Sequence, residues 1–195
     1  MKNTRRRLGM LLMCLGILLV SAALFITVFK AVSDKINASA AEQILTEMAE
    51  VMPEQKEGTL DDRENVTMPM IELDGESFIG IIELPQYSIR LPIDAAWNSG
   101  KLTKYPCRYS GSLYDGTLII GGSGSASQLG TLKNMTPTDK VYVTDVMGSR
   151  FVYTVEDVYY VKEISEKNLS KAEADVILFS KSAYTSDYTV VLLGR

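Results

Sequence analysis

Histidine is absent from the 195-residue chain. No imidazole is therefore available as a general base or as a partner for a thiol, and a Cys–His catalytic pair is excluded wherever its members are sought. Cysteine is almost as scarce. Of the two, Cys14 lies inside a long apolar run and Cys107 far downstream of it. A disulfide between them is excluded if that run crosses a membrane. Cys107, set in Tyr105-Pro106-Cys107-Arg108-Tyr109-Ser110-Gly111, reads as a partly buried small side chain rather than a displaced nucleophile, because nothing imidazole-like can activate it. No internal repeat or low-complexity tract is visible.

Charge is missing from one long stretch. Leu8–Phe29 runs for 22 residues without an ionisable side chain, enough at about 1.5 Å per residue to cross a hydrocarbon layer roughly 30 Å thick. Lys2, Arg5, Arg6 and Arg7 precede it and Lys30 alone follows closely, so the stronger positive cluster lies on the N-terminal side. That asymmetry predicts a single-pass anchor with residues 1–7 in the cytoplasm and everything after Lys30 outside. A cleaved signal peptide is the competing reading, with Ala38-Ser39-Ala40 as its small-x-small site. Its apolar core is usually about 7–15 residues, shorter than this run, and the cleavage site follows closely rather than well downstream.

Beyond the anchor the composition changes twice. From Ala31 to about Val51, Ile36, Ala40, Ile44 and Met48 recur at a spacing of four, which predicts a helix continuing out of the membrane. From Met52 to about Asp74 the chain is acidic and punctuated by Pro and Gly, the texture of a flexible spacer. Residues 30–75 are therefore expected to form a stalk and linker. The remainder, residues 76–195, has the texture of an all-β domain. Short β-branched or aromatic runs recur at Phe78–Leu84, Tyr87–Ile93, Thr117–Ile120, Lys140–Val146, Phe151–Val161, Val176–Ser180 and Tyr188–Leu193. Asp115-Gly116 and Met147-Gly148-Ser149 are turn signals, the second fitting a hairpin. Only short helical stretches fit between, near Ser99–Lys104 and Gly130–Met135. About seven or eight short strands call for a barrel or a sandwich.

Several motifs then fall in a familiar order. Phe78-Ile79-Gly80-Ile81-Ile82-Glu83-Leu84-Pro85 followed by Leu91-Pro92-Ile93 resembles the opening of a sortase domain, where IGxIxIP leads to a strand ending in LPV. Pro106–Ser112 followed by Thr117-Leu118-Ile119-Ile120-Gly121-Gly122 resembles the approach to the family's AGH motif. Gly130–Met135 is similar to the helix and loop after it, and Lys140–Val161 to the long hairpin carrying DxV and YxV. Asp175–Lys181 reads like the second active-site strand. The resemblance covers about Phe78–Arg195 and implies a sortase-type β-barrel.

The resemblance also implies a site, and there this chain departs from the pattern. A sortase uses a Cys thiolate as nucleophile, a His to protonate the leaving amine and an Arg to stabilise the oxyanion. Ser123 stands in the His position, Lys181 in the Cys position and Tyr188 in the Arg position, while Arg195 lies at the far end of the last strand. Loss of a nucleophile alone typically costs on the order of 10⁴–10⁶ in rate, so sortase transpeptidation is not expected. A Ser123–Lys181 dyad is the alternative, with the Gly121–Gly124 backbone as oxyanion hole. It requires Lys181 to be shielded enough to lower its pKa. A cysteine transpeptidase with a degenerate site is a further alternative. The expected role is instead a non-catalytic peptide-binding or scaffolding module, with Gly121, Gly122, Ser123, Ser180, Lys181 and Tyr188 as groove candidates. The resemblance implies a Gram-positive cell surface, with a sorting-signal peptide, a cell-wall or pilus protein or an active sortase as partner. No cofactor, metal or nucleic acid is expected.

Overall fold

The computed structural model of the protein describes residues 2–58, 67–165, 169, 173–182 and 185–195. One long helix, α1, spans Lys2–Val51 and belongs to two compact units, one running through Ile36 and the other from Asn37 to Arg195. Within the first unit the apolar side chains have nothing to bury against: Leu12, Phe25 and Ile26 are 61%, 71% and 66% exposed. By length and composition this helix is a candidate membrane span.

Among the described residues the second unit contains ten strands: β1 (Lys56–Glu57), β2 (Ile71–Leu73), β3 (Glu76–Leu84), β4 (Ile89–Asp94), β5 (Cys107–Ser110), β6 (Leu118–Gly124), β7 (Lys140–Asp145), β8 (Ser149–Val161), β9 (Val176–Ser182) and β10 (Tyr188–Gly194). Eight of them close a ring in the order β3-β4-β5-β6-β9-β10-β8-β7, with β7 returning to β3. Most pairs are antiparallel; β6 runs parallel to β9, and β4 to β5. The result is a closed mixed barrel, which leaves no exposed edge among these eight strands. β1 and β2 are short additions on β8 and β3.

Local chemistry sets the turns. Between β7 and β8 the carboxylate of buried Asp145 accepts from the N–H groups of Met147 and Ser149 at 2.9 and 2.8 Å, and Gly148 takes φ +76°, as the turn signal there requires. In β8 buried and less buried positions alternate from Ser149 to Val155, one face inward. β6 and β9 instead read as continuous apolar runs because both of their faces are covered. Leu118, Ile120, Val176 and Leu178 enter the main core, whereas Ile119, Ile177 and Phe179 join Val190 in a second cluster on the opposite face.

Four details differ from the sequence-based expectation. Cys107–Ser110 is a strand rather than part of a loop. Tyr87 sits in a 3₁₀ turn, Pro85–Tyr87, rather than opening a strand, and Ser99–Lys104 forms turns rather than a helix. The region expected to be stalk and spacer contributes to the barrel: Ala41, Ile44, Leu45, Met48 and Met68 are buried in the main core. Residues 59–66 of the expected spacer lie outside the described residues.

Candidate functional site

Backbone register across β6, β9 and β10 assembles the site. Ser123 pairs with Lys181, and Lys181 pairs with Tyr188, so the three residues form one transverse row on adjacent strands about 4.8 Å apart. One row deeper, Gly121, Phe179 and Val190 are aligned in the same way. Side chains in register share a face, so Ser123, Lys181 and Tyr188 rise beside the second apolar cluster. Gly122 and Ser180, one residue back, belong to the other face, where Gly122 abuts Leu129 of the 3₁₀ helix Leu129–Asn134 and Ser180 is 3% exposed. The six groove candidates thus divide between two faces.

Aromatic rings form the floor next to the row. Phe179 stands 5.6 Å from Trp97, 5.4 Å from Tyr109 and 6.3 Å from Tyr188 by ring centroids, and Trp97 meets Tyr109 edge-to-face at 4.9 Å. A Cβ at Gly121 would lie 2.4 Å from Phe179 Cζ and 2.6 Å from Trp97 Cζ3, so glycine is what lets both rings settle on the β6 backbone. Trp97 comes from the loop after β4, which is held by charge. Lys101 Nζ donates to Asp94 Oδ2 at 2.8 Å and lies 3.7 Å from Glu76 Oε1, while Asp94 Oδ1 accepts from Ala96 N–H at 2.9 Å. The hydrogen bond to Asp94 raises the Lys101 pKa despite partial burial.

With the geometry in place, comparison with known proteins is informative. No protein-family model matches the chain, and no curated protein does. Solved structures do match. Sortase A from Corynebacterium diphtheriae aligns over 83% of this chain and 83% of its own at 19% identity with a TM-score of 0.52. A Clostridium perfringens sortase D5 transpeptidase aligns over 80% of this chain and 98% of its own at 12% identity and a TM-score of 0.55. A Clostridium perfringens sortase C, solved with the C-terminal cell wall sorting motif, aligns over 82% and 85% at 14% identity and a TM-score of 0.51. The protein has a sortase-like fold.

In this sortase-like barrel the row offers a hydroxyl, an ammonium and a phenol. The Ser123 hydroxyl is half-buried and accepts from Ser125 N–H at 3.2 Å. Lys181 is exposed, and among the described residues no hydrogen bond joins it to Ser123. Tyr188, not Arg195, is the β10 residue level with Lys181. Arg195 lies seven residues on, about 23 Å along a strand, with Nε 3.9 Å from Asp175 Oδ2 and its guanidinium over the Tyr153 ring.

Cys107 is level with Gly121 in the β5–β6 pairing but fully buried, its Sγ 3.9 Å from Asn98 O and 3.8 Å from Tyr105 O. Burial pushes its pKa up to about 11, so it stays a thiol at neutral pH. Sequence reading overlooked Trp97, Tyr109 and Phe179. Phe179 was within reach, since strand alternation places it on the Lys181 face. Trp97 and Tyr109 arrive through a charge-held loop and a β-bulge, neither of which leaves a local pattern.

Proposed function

We propose that this is a membrane-anchored, extracytoplasmic sortase-like domain that binds an extended peptide without cleaving it. The observation that carries the proposal is the Ser123–Lys181–Tyr188 row. It coincides with the three positions at which the resemblance places His, Cys and Arg, and none of its groups is a thiolate, an imidazole or a guanidinium. Recognition and bond cleavage use different parts of a site, so a groove persists when the reacting groups are gone. The aromatic floor of Trp97, Tyr109 and Phe179 supplies rigid apolar area beside exposed polar groups, the composition that anchors peptide side chains. One of the matched structures, the Clostridium perfringens sortase C, was solved with a sorting motif; by analogy, a sorting-signal peptide on a cell-wall or pilus protein is the ligand proposed here.

A Ser123–Lys181 hydrolase is the competing reading. It needs a lysine shielded from water and bonded to the hydroxyl, and Lys181 is exposed. The test uses the purified protein with a panel of sorting-signal peptides, followed by mass spectrometry for cleavage and by calorimetry for binding. Binding without cleavage is expected, with affinity weakened roughly tenfold or more in Trp97→Ala. Cleavage that disappears in Ser123→Ala would overturn the non-catalytic reading, and absence of binding to every peptide would remove the peptide-binding one.

A further inference from the structure

A second cleft, of about 370 Å³, opens on the face of the sheet opposite the Ser123–Lys181–Tyr188 row. Its wall is built by register. Ser180 on β9 pairs with Thr189 on β10, and Thr189 pairs with Tyr160 on β8, so a hydroxyl, a second hydroxyl and an aromatic ring stand in one line. Ser182, Lys133 and Asp187 complete the rim. Ser180 and Thr189 are only 3% and 6% exposed, yet among the described residues neither hydroxyl has a hydrogen-bond partner in the protein. Neither oxygen is among the buried, unpartnered polar atoms of the described residues, so both hydroxyls face the cleft and are open to a partner that enters it. Tyr160 is the opposite case: its ring is 64% exposed at the mouth, and no other ring of the described residues stacks on it.

The chemistry narrows the ligand. Lys133 and Asp187 contribute one charge of each sign, so the rim favours neither an anion nor a cation. Hydroxyls that both donate and accept match a ligand whose groups do the same. A flat exposed ring matches the apolar C–H face of a sugar. The volume lies at the lower end of the range for small-ligand sites, roughly 300–1,000 Å³, room for a short saccharide. We infer that the cleft bounded by Tyr160, Ser180, Ser182, Thr189, Lys133 and Asp187 is a saccharide-binding site, separate from the peptide groove and independent of whether that groove binds anything.

The test uses the full chain in a detergent without a sugar head group, titrated by calorimetry with the N-acetylglucosamine trimer and with maltotriose. Saturable binding of at least one of them is expected, weakened roughly tenfold by Tyr160→Ala and by Thr189→Val and unchanged by Lys181→Ala, which lies on the other face. Tyr160 is exposed, so its variant keeps the fold; circular dichroism and the unfolding midpoint check Thr189→Val. Absence of binding by both sugars up to about 10 mM, retention of full affinity in Tyr160→Ala, or an equal loss in Lys181→Ala would overturn the assignment.

Discussion

At the scale of single residues, Gly121 decides the character of the groove. A histidine and a thiol can only be read as missing, but a glycine beneath two rings is a positive requirement. Adding one methyl would drive Phe179 and Trp97 off the β6 backbone, and both abutting atoms belong to bulky rings with packed neighbours. Gly121→Ala is therefore expected to destabilise the barrel by about 1–3 kcal/mol through overpacking. Trp97 is the sole tryptophan, so its fluorescence during urea unfolding reads both the stability and the displaced ring. An unchanged midpoint with an unchanged emission maximum would show that the rings do not rest on Gly121. Cys107 illustrates the reverse lesson. It is level with Gly121, yet burial, not the loss of a base alone, keeps it inert, a fact that no motif could supply.

At the scale of elements, legibility tracks how local the cause of each element is. The strands β3, β6, β8, β9 and β10 were visible because alternation or continuous β-branched runs state their faces directly. β5 was not: Cys107-Arg108-Tyr109-Ser110 is short and polar, and it is a strand only because β6 offers partners across a bulge. The helix was legible, but its packing into the barrel core was not. A spacing of four advances about 40° per step around a helix, so Ile36, Ala40, Ile44 and Met48 drift by about 120° and only the last two lie in the core. Ile36 is 64% exposed, and the buried set is Ala41, Ile44, Leu45 and Met48, with spacings of three and four. These residues lie in the barrel core, which makes the last turns of α1 part of the domain's stability. Met48→Ala is expected to cost about 2–5 kcal/mol, and Glu50→Ala, on an exposed position nearby, within ±0.5 kcal/mol. Urea unfolding of the detergent-solubilised chain distinguishes them, and equal midpoints would mean that the helix is a mere tether.

At the scale of the whole molecule, orientation governs whether either cleft meets its ligand. The exposed apolar side chains of Leu12–Phe29 make this stretch a candidate membrane span, for which the flanking charges predict the side. Four cations, Lys2, Arg5, Arg6 and Arg7, precede the run and Lys30 closely follows it, an asymmetry that predicts retention of the basic end in the cytoplasm. On the proposed topology Asn37–Arg195, with the proposed peptide row on one face of its sheet and the proposed saccharide cleft on the other, lies outside the cell. The arrangement has a functional logic, because two faces of one sheet can hold a peptide and a sugar at once without competing. Protease added to intact cells or spheroplasts is expected to remove the barrel domain while leaving an epitope placed before Lys2 protected until the membrane is permeabilised. The opposite pattern, a protected domain and a digested epitope, would reverse the orientation and deny both clefts an extracellular ligand. Exchanging Arg5, Arg6 and Arg7 for Asn sharpens the assay: if the basic cluster sets the topology, the variant gives a mixed protection pattern, and an unaltered one would show that something other than these charges holds the N-terminus inside.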